Sequence, residues 1–202
     1  AYMVAVHHLN NSRSQRVLWL LEELGLDYNV VRYQRDATTM LAPPEPKKIP
    51  PLGTSPVGAD GEHVLAESGA ILEYLADRTG KLLPKAPRAR FATLEWLYWQ
   101  MAGLGPMAGQ AHHFLHYAPE HVPYAPQRYV KESNRLYGVL DRRLAVADYM
   151  GGDFSIADIA AYPWVRSHSR HGQNLDDFPH VKRWFEAISA HPSVVKTYEI
   201  AA

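Results

Sequence analysis

Residues 53–77 read GTSPVGADGEHVLAESGAILEYLAD, and this stretch decides the fold. Pro56-Val57 opens a β-prone run, Asp60-Gly61 is a tight-turn signal, and His63–Ala66 is the returning strand of a hairpin. Glu67-Ser68 come next, followed by Ala70, Ile71, Tyr74 and Leu75 at helical spacing, with Ser68 near the cap. Upstream, Met3–His8 is a short strand with Val4 and Val6 on one face, and Asn10–Ser14 is turn-like. Val17, Leu20, Leu21 and Leu24 then recur at i, i+3, i+4 and i+7, with Glu22 and Glu23 opposite. Gly25 stops that helix, and Tyr28–Tyr33 returns as a strand. A strand–helix–strand unit crosses over right-handed and makes its strands parallel. Residues 43–56 hold six prolines and read as a loop. The order β-α-β, loop, β-β-α predicts a four-stranded mixed sheet with helices against it.

The aromatic residues divide the chain. All five Phe and four of the five Trp follow residue 90, where the periodicity is almost entirely helical. GKLLPKAPRAR, across Gly80–Arg90, supplies Gly, Pro and charge at the boundary. Residues 1–80 are therefore expected as an α/β domain, 81–89 as a linker and 90–202 as an all-helical domain. Helices are predicted over 88–104 and 126–147, with a final one starting near Pro179 and carrying Val181, Trp184 and Ile188. Ser155-Ile-Ala-Asp158 before an apolar run reads as a capping box with Asp in place of Glu.

Composition excludes several classes. Lys+Arg and Asp+Glu are both 21, and residues 1–85 hold 9 basic and 10 acidic residues, so neither part carries a basic field. Binding to nucleic acid or to an acidic membrane surface has no electrostatic support. No apolar run reaches the length of a transmembrane helix, and AYMVAVHHLNNSRSQ is too polar to be a secretory leader, so a cytoplasmic location is expected. The chain has no cysteine. Disulfides, thiolate-ligated metals and a cysteine nucleophile are thereby excluded. His112 and His116 are an i, i+4 pair, but no H-E-x-x-H accompanies them and no metal site is expected. GLGPMAG (Gly103–Gly109) fails the G-x-G-x-x-G spacing and reads as close helix packing or a break at Pro106.

The β-α-β-β-α order, the Ser-rich turn opening the first helix, GTSP followed by LAESGAILEYLAD, and SIADIAAYPW together resemble the glutathione transferase superfamily over nearly the whole chain. The resemblance implies a thioredoxin-like glutathione-binding domain followed by an all-helical domain for the second substrate. It also implies a cis-proline at Pro56, preceded by Thr54 and by Ser55, whose backbone pairs with the peptide backbone of glutathione. Glu67 and Ser68 would hold the γ-glutamyl group. A helix start suits its carboxylate, because the first N–H groups are unpaired and the dipole is positive there.

The turn Asn10–Ser14 is the candidate catalytic element. A cysteine-type thiol has a pKa of about 8.5, and lowering it by about two units takes roughly 2.7 kcal/mol of preferential thiolate stabilisation. A hydroxyl or amide donor acting with a helix N-terminus can supply that. Ser12 and Asn11 are the candidates, since serine-type members place their donor in this turn. Arg13 could add positive charge, and Ser14 is both a glutathione-binding candidate and a candidate helix cap.

The turn contains no Tyr, so it does not resemble the tyrosine-type classes. NNSRSQRVLWLLEELGLDY looks like serine-type bacterial and fungal transferases. WQMAGLGPMAGQAHHF looks like the Nu-class bacterial enzymes, which are associated with glutathione-dependent disulfide reduction, and like the fungal nitrogen-regulator branch. The implied activity is conjugation of the glutathione thiolate to small hydrophobic electrophiles, with reduction of disulfides or hydroperoxides as the alternative. A non-catalytic glutathione-binding module is a third possibility. Trp99, Met107, His113 and Tyr117 are candidates for the second-substrate pocket. Glutathione is expected as co-substrate with no tightly bound cofactor, and a homodimer is implied by the resemblance alone.

Overall fold

The computed structural model describes residues 4–10, 12–33, 57–60 and 63–201. Asn11, Thr54, Ser55 and Pro56 lie outside the described residues. Four strands form one sheet: β1 (Val4–Leu9), β2 (Tyr28–Tyr33), β3 (Val57–Asp60) and β4 (His63–Ala66). Their order is β2-β1-β3-β4. β1 and β2 run parallel, from Val4 opposite Tyr28 to Leu9 opposite Tyr33, as the crossover requires. β3 pairs antiparallel with β1 and with β4, which makes the predicted mixed sheet.

Helix α1 (Ser14–Leu24) joins β1 to β2 and ends at Gly25, whose φ of 65° is the left-handed turn that only glycine adopts without cost. α2 (Ser68–Thr79) ends the same way at Gly80. α1 is buried almost all round, including Arg16 and Trp19. It lies against β1, against α2, and against a last helix, α8 (Pro192–Ile200), absent from the sequence expectation. Glu22 and Glu23 therefore do not form a free solvent face. Lys196 pairs with Glu22 at 2.6 Å, and Trp19 Nε1 donates to Ser193 Oγ at 3.2 Å. Packing accordingly divides the chain into Ala1–Lys81 with Ala190–Ala202, and Leu82–Ser189.

The second unit holds α3 (Pro87–Trp99), α4 (Gly105–His116), α5 (Tyr124–Leu144), α6 (Ile156–Arg166) and α7 (Pro179–Ser189). Between α3 and α4, residues Gln100–Leu104 form a wide π-helical turn. Pro106 explains it: the ring removes one N–H and collides with the carbonyl four residues earlier, so the helix widens instead of breaking. Gly105 follows because a Cβ there would meet Gln100 Nε2 at 2.7 Å and Trp164 Nε1 at 2.9 Å. Close packing, not phosphate binding, accounts for Gly105 and for Gly109, where a Cβ would meet the Trp164 ring at 3.3 Å.

The Ser155–Asp158 capping box is present and fully used. Ser155 Oγ accepts from Ala157 N at 3.3 Å, and Asp158 Oδ2 accepts from Ser155 N at 3.0 Å. The other Asp158 oxygen accepts from Met150 N at 3.0 Å and from the buried Trp184 Nε1 at 2.8 Å. Burial pushes the Asp158 carboxyl up to about 6, against the pull of these donors. Among the described residues, no helix is long and apolar enough to cross a membrane.

Candidate functional site

Two helix N-termini of the first unit carry the described candidates. At the start of α1 the cap position is Arg13, exposed, with αR backbone and no side-chain cap bond. Ser14 is the first helical residue and is fully buried, so it is not the expected cap. Its own N–H instead donates to Ser12 Oγ at 3.2 Å, so Ser12 does the capping from two residues back. The two hydroxyls lie 2.5 Å apart. Ser14 Oγ also shares a 2.7 Å hydrogen bond with His8 Nδ1 and reaches the Leu9 carbonyl at 3.3 Å. Ser12 is half-buried, at the outer end of this chain of polar atoms.

At the start of α2, Glu67 occupies the cap position with φ 71° and ψ 116°, a left-handed conformation rare for a non-glycine residue. Such a residue costs on the order of 1–3 kcal/mol and is retained where function needs the geometry. Glu67 makes no side-chain cap bond, and Ser68 is the first helical residue, not its cap. Ser68 is 1% exposed, and its Oγ accepts from Arg16 Nη1 at 3.0 Å. Desolvation in this wholly buried position pulls the Arg16 guanidinium down to about 9, Arg13 adds like-charge repulsion, and Tyr198 partly offsets both. An anion placed at Ser68 would offset the cost of that burial by charge attraction.

His8 and Arg16 are the two residues of this region that sequence reading missed. His8 had a signal, being two residues beyond Val6 on the buried face of β1. Arg16 had none, because a long cation one turn into a helix is ordinarily a surface residue.

The second-substrate candidates all lie in the helical unit. Trp99 is half-buried, with its ring on Trp96 at 5.2 Å, and Met107 is half-buried on α4. His113 is exposed and meets the Phe114 ring edge-on at 5.1 Å. Tyr117 is 56% exposed, and its hydroxyl accepts from Arg170 Nη2 at 3.2 Å. Arg170 Nε also donates to His112 Nε2 at 3.0 Å, while His116 Nε2 meets the Arg170 carbonyl at 2.9 Å. Both Nε2 atoms of the i, i+4 histidine pair are thus engaged by protein groups.

Hydroxyls at one helix start and a buried cation behind another, on a sheet of order β2-β1-β3-β4, define a class: a thioredoxin-like domain followed by a helical one. Comparison with known proteins supplies the family. The glutathione S-transferase N-terminal domain model matches residues 3–77, and the C-terminal domain model matches residues 104–192. The chain is 42% identical over 199 residues to the disulfide-bond oxidoreductase YfcG of Escherichia coli strain K12, covering 95% of this chain and 92% of that one. A glutathione transferase structure from Pseudomonas putida, with one glutathione disulfide bound per subunit, matches with a TM-score of 0.88 and 33% identity over 100% of this chain and 93% of that one. A glutathione transferase family member from Pseudomonas fluorescens, with two glutathione molecules bound, gives 0.85 and 34% over 97% and 92%. The chain belongs to the glutathione S-transferase superfamily.

Proposed function

We propose that this protein binds glutathione at the N-termini of α1 and α2, holds its sulfur as a thiolate, and turns that thiolate on small disulfides. The observation that carries the reading is the Ser12–Ser14 hydroxyl pair at the start of α1, in a chain without cysteine. Ser12 donates to the sulfur, with Asn11 as the alternative donor. Arg13 and the dipole of α1 add positive potential. Thr54, Ser55 and Pro56 hold the glutathione backbone. Glu67 takes the γ-glutamyl ammonium, and Ser68, backed by Arg16, takes its carboxylate.

The chemistry then uses only imported sulfur. The glutathione thiolate attacks one sulfur of the disulfide, a new S–S bond forms, and the other sulfur leaves as a thiolate that takes up a proton. A second glutathione thiolate attacks the mixed disulfide and releases glutathione disulfide and the second thiol. The name of the Escherichia coli relative and the glutathione disulfide in the Pseudomonas putida structure support this acceptor. Conjugation to a hydrophobic electrophile is the second reading, favoured by the family description and by Trp99, Met107, His113 and Tyr117. The same thiolate would serve hydroperoxide reduction.

The test is turnover of hydroxyethyl disulfide against chlorodinitrobenzene, both with glutathione. Faster disulfide turnover supports the first reading, and the reverse order supports conjugation. Absence of both activities with glutathione binding intact would indicate a binding module. In the same reading the protein is a homodimer.

A further inference from the structure

His8 stands among valines on the buried face of β1 and is 0% exposed. A histidine at such a position costs more than a valine unless its polar atoms are used. Nδ1 is used: it shares a 2.7 Å hydrogen bond with Ser14 Oγ, which lies 2.5 Å from Ser12 Oγ. The three side chains run as one hydrogen-bonded line from the core to the hydroxyl assigned above to the sulfur.

Each hydroxyl has one proton, so the group at the buried end sets the sense of the line. If Nδ1 donates, Ser14 accepts from His8 and passes its own proton to Ser12, the nearer acceptor at 2.5 Å, in competition with the Leu9 carbonyl at 3.3 Å. Ser12 Oγ then accepts from both the Ser14 hydroxyl and the Ser14 N–H at 3.2 Å, and its own proton points outward. If Nδ1 accepts, the line reverses, Ser12 donates inward, and no proton remains for an anion. We propose that His8 is a positioning residue that holds this line in the outward sense, so that the Ser12 proton is presented to the glutathione sulfur. The proposal rests on Ser12 being the hydroxyl that meets the sulfur.

One observation supports the outward sense. His8 Nε2 is buried without a hydrogen-bond partner, and a bare lone pair is better tolerated there than an N–H with no acceptor. The Asn10 side chain and the Ala201 backbone favour the charged ring, but neither meets Nε2 in hydrogen-bonding geometry. Burial first, and then Arg32, keep the ring neutral, so it orients the line and does not receive the thiol proton. Aligned hydroxyls also polarise one another, which strengthens the last donor.

The experiment measures the pKa of bound glutathione from the ultraviolet absorbance of its thiolate, in the wild type and in Ser12→Ala, Ser14→Ala, His8→Leu and His8→Asn. Glutathione affinity is measured alongside as the control for folding. His8→Leu should raise the thiol pKa by about half a unit to one unit, and lower the rate at fixed pH by about three- to tenfold. His8→Asn, which restores an amide donor near the Nδ1 position, should recover most of the loss. Ser14→Ala breaks the line at its middle and should match His8→Leu, which covers the case of a leucine variant that does not fold. A raised thiol pKa in Ser12→Ala, with His8→Leu and Ser14→Ala unchanged, overturns the proposal and spares the Ser12 assignment. An unchanged thiol pKa in Ser12→Ala removes that assignment and the proposal with it.

Discussion

His171 is the sharpest test of the helical unit, because its titration has a calculable sign and size. Its ring is 0% exposed, Nε2 shares a 2.7 Å hydrogen bond with Tyr137 Oη, and Nδ1 has no partner. A second ring proton would be buried without an acceptor. Desolvation, with smaller contributions from His112 and His168, pulls the group down from 6.5 to about 3. Below pH 6.5 the unfolded chain takes up a proton that the folded chain refuses. The stability contributed by neutral His171 is complete above that value and is lost as pH falls toward 3, at about 1.4 kcal/mol per pH unit. His171→Gln removes the titration and keeps a polar atom near Tyr137. Relative to wild type, the variant should therefore gain about 2.3 kcal/mol as pH falls from about 6.5 to about 4.5.

Asp158 supplies the opposite sign. With its carboxyl raised from 3.8 to about 6, its contribution is complete below 3.8 and lost as pH rises through 6. Asp158→Asn should gain about 2–3 kcal/mol on wild type as pH rises across that window. The two slopes cancel in the wild type between about pH 4 and 6 and separate in the variants. The assay is urea unfolding at half-unit pH intervals, followed by tryptophan fluorescence. Parallel stability curves for wild type and His171→Gln would refute the buried-neutral histidine. Two variants diverging from wild type in the same direction would refute the sign argument as a whole.

Other predictions are independent of pH. Ser155→Ala should cost about 1 kcal/mol by releasing the Ala157 N–H, and a loss below a few tenths in urea unfolding would show the box to be idle. Gly105→Ala should destabilise by about 1–3 kcal/mol through its clash with Gln100 and Trp164, whereas at Gly103 the nearest atom is 3.7 Å away and alanine should be neutral or better. Equal unfolding midpoints for these two variants would contradict the packing account. Arg16→Met should weaken glutathione binding by about tenfold in calorimetry through loss of a charge-assisted hydrogen bond behind Ser68, and unchanged affinity would remove Arg16 from the site. If the proposed homodimer uses the exposed face of α3, Phe91→Glu should yield monomers in sedimentation, since Phe91 is 68% and Tyr98 55% exposed.

The α/β-then-helical order was legible because periodicity and turn chemistry are local. Val4 and Val6, the Val17–Leu24 stripe, Asp60-Gly61 and the Ser155–Asp158 box each declare an element within a few residues. The helix starts that carry the candidate site residues were legible for the same reason, since a helix start behind a strand is a local event. Caps were misjudged at Ser14 and Ser68 because a serine beside a helix start can turn its hydroxyl to the first turn or to the core. Tertiary neighbours choose between these, here His8 and Arg16.

By itself the sequence determined the strands and their order, most of the helices and the absence of a protein thiol. Only the tertiary structure decided that α8 returns to cover Glu22 and Glu23, that Arg16 is buried against Ser68, and that His8 ends a hydrogen-bonded line at Ser12. Each of these joins side chains from separate elements, some of them far apart in the chain. Hydrophobic patterning sets which face of an element turns inward. Which polar atom meets which, once inside, depends on distances that only packing fixes.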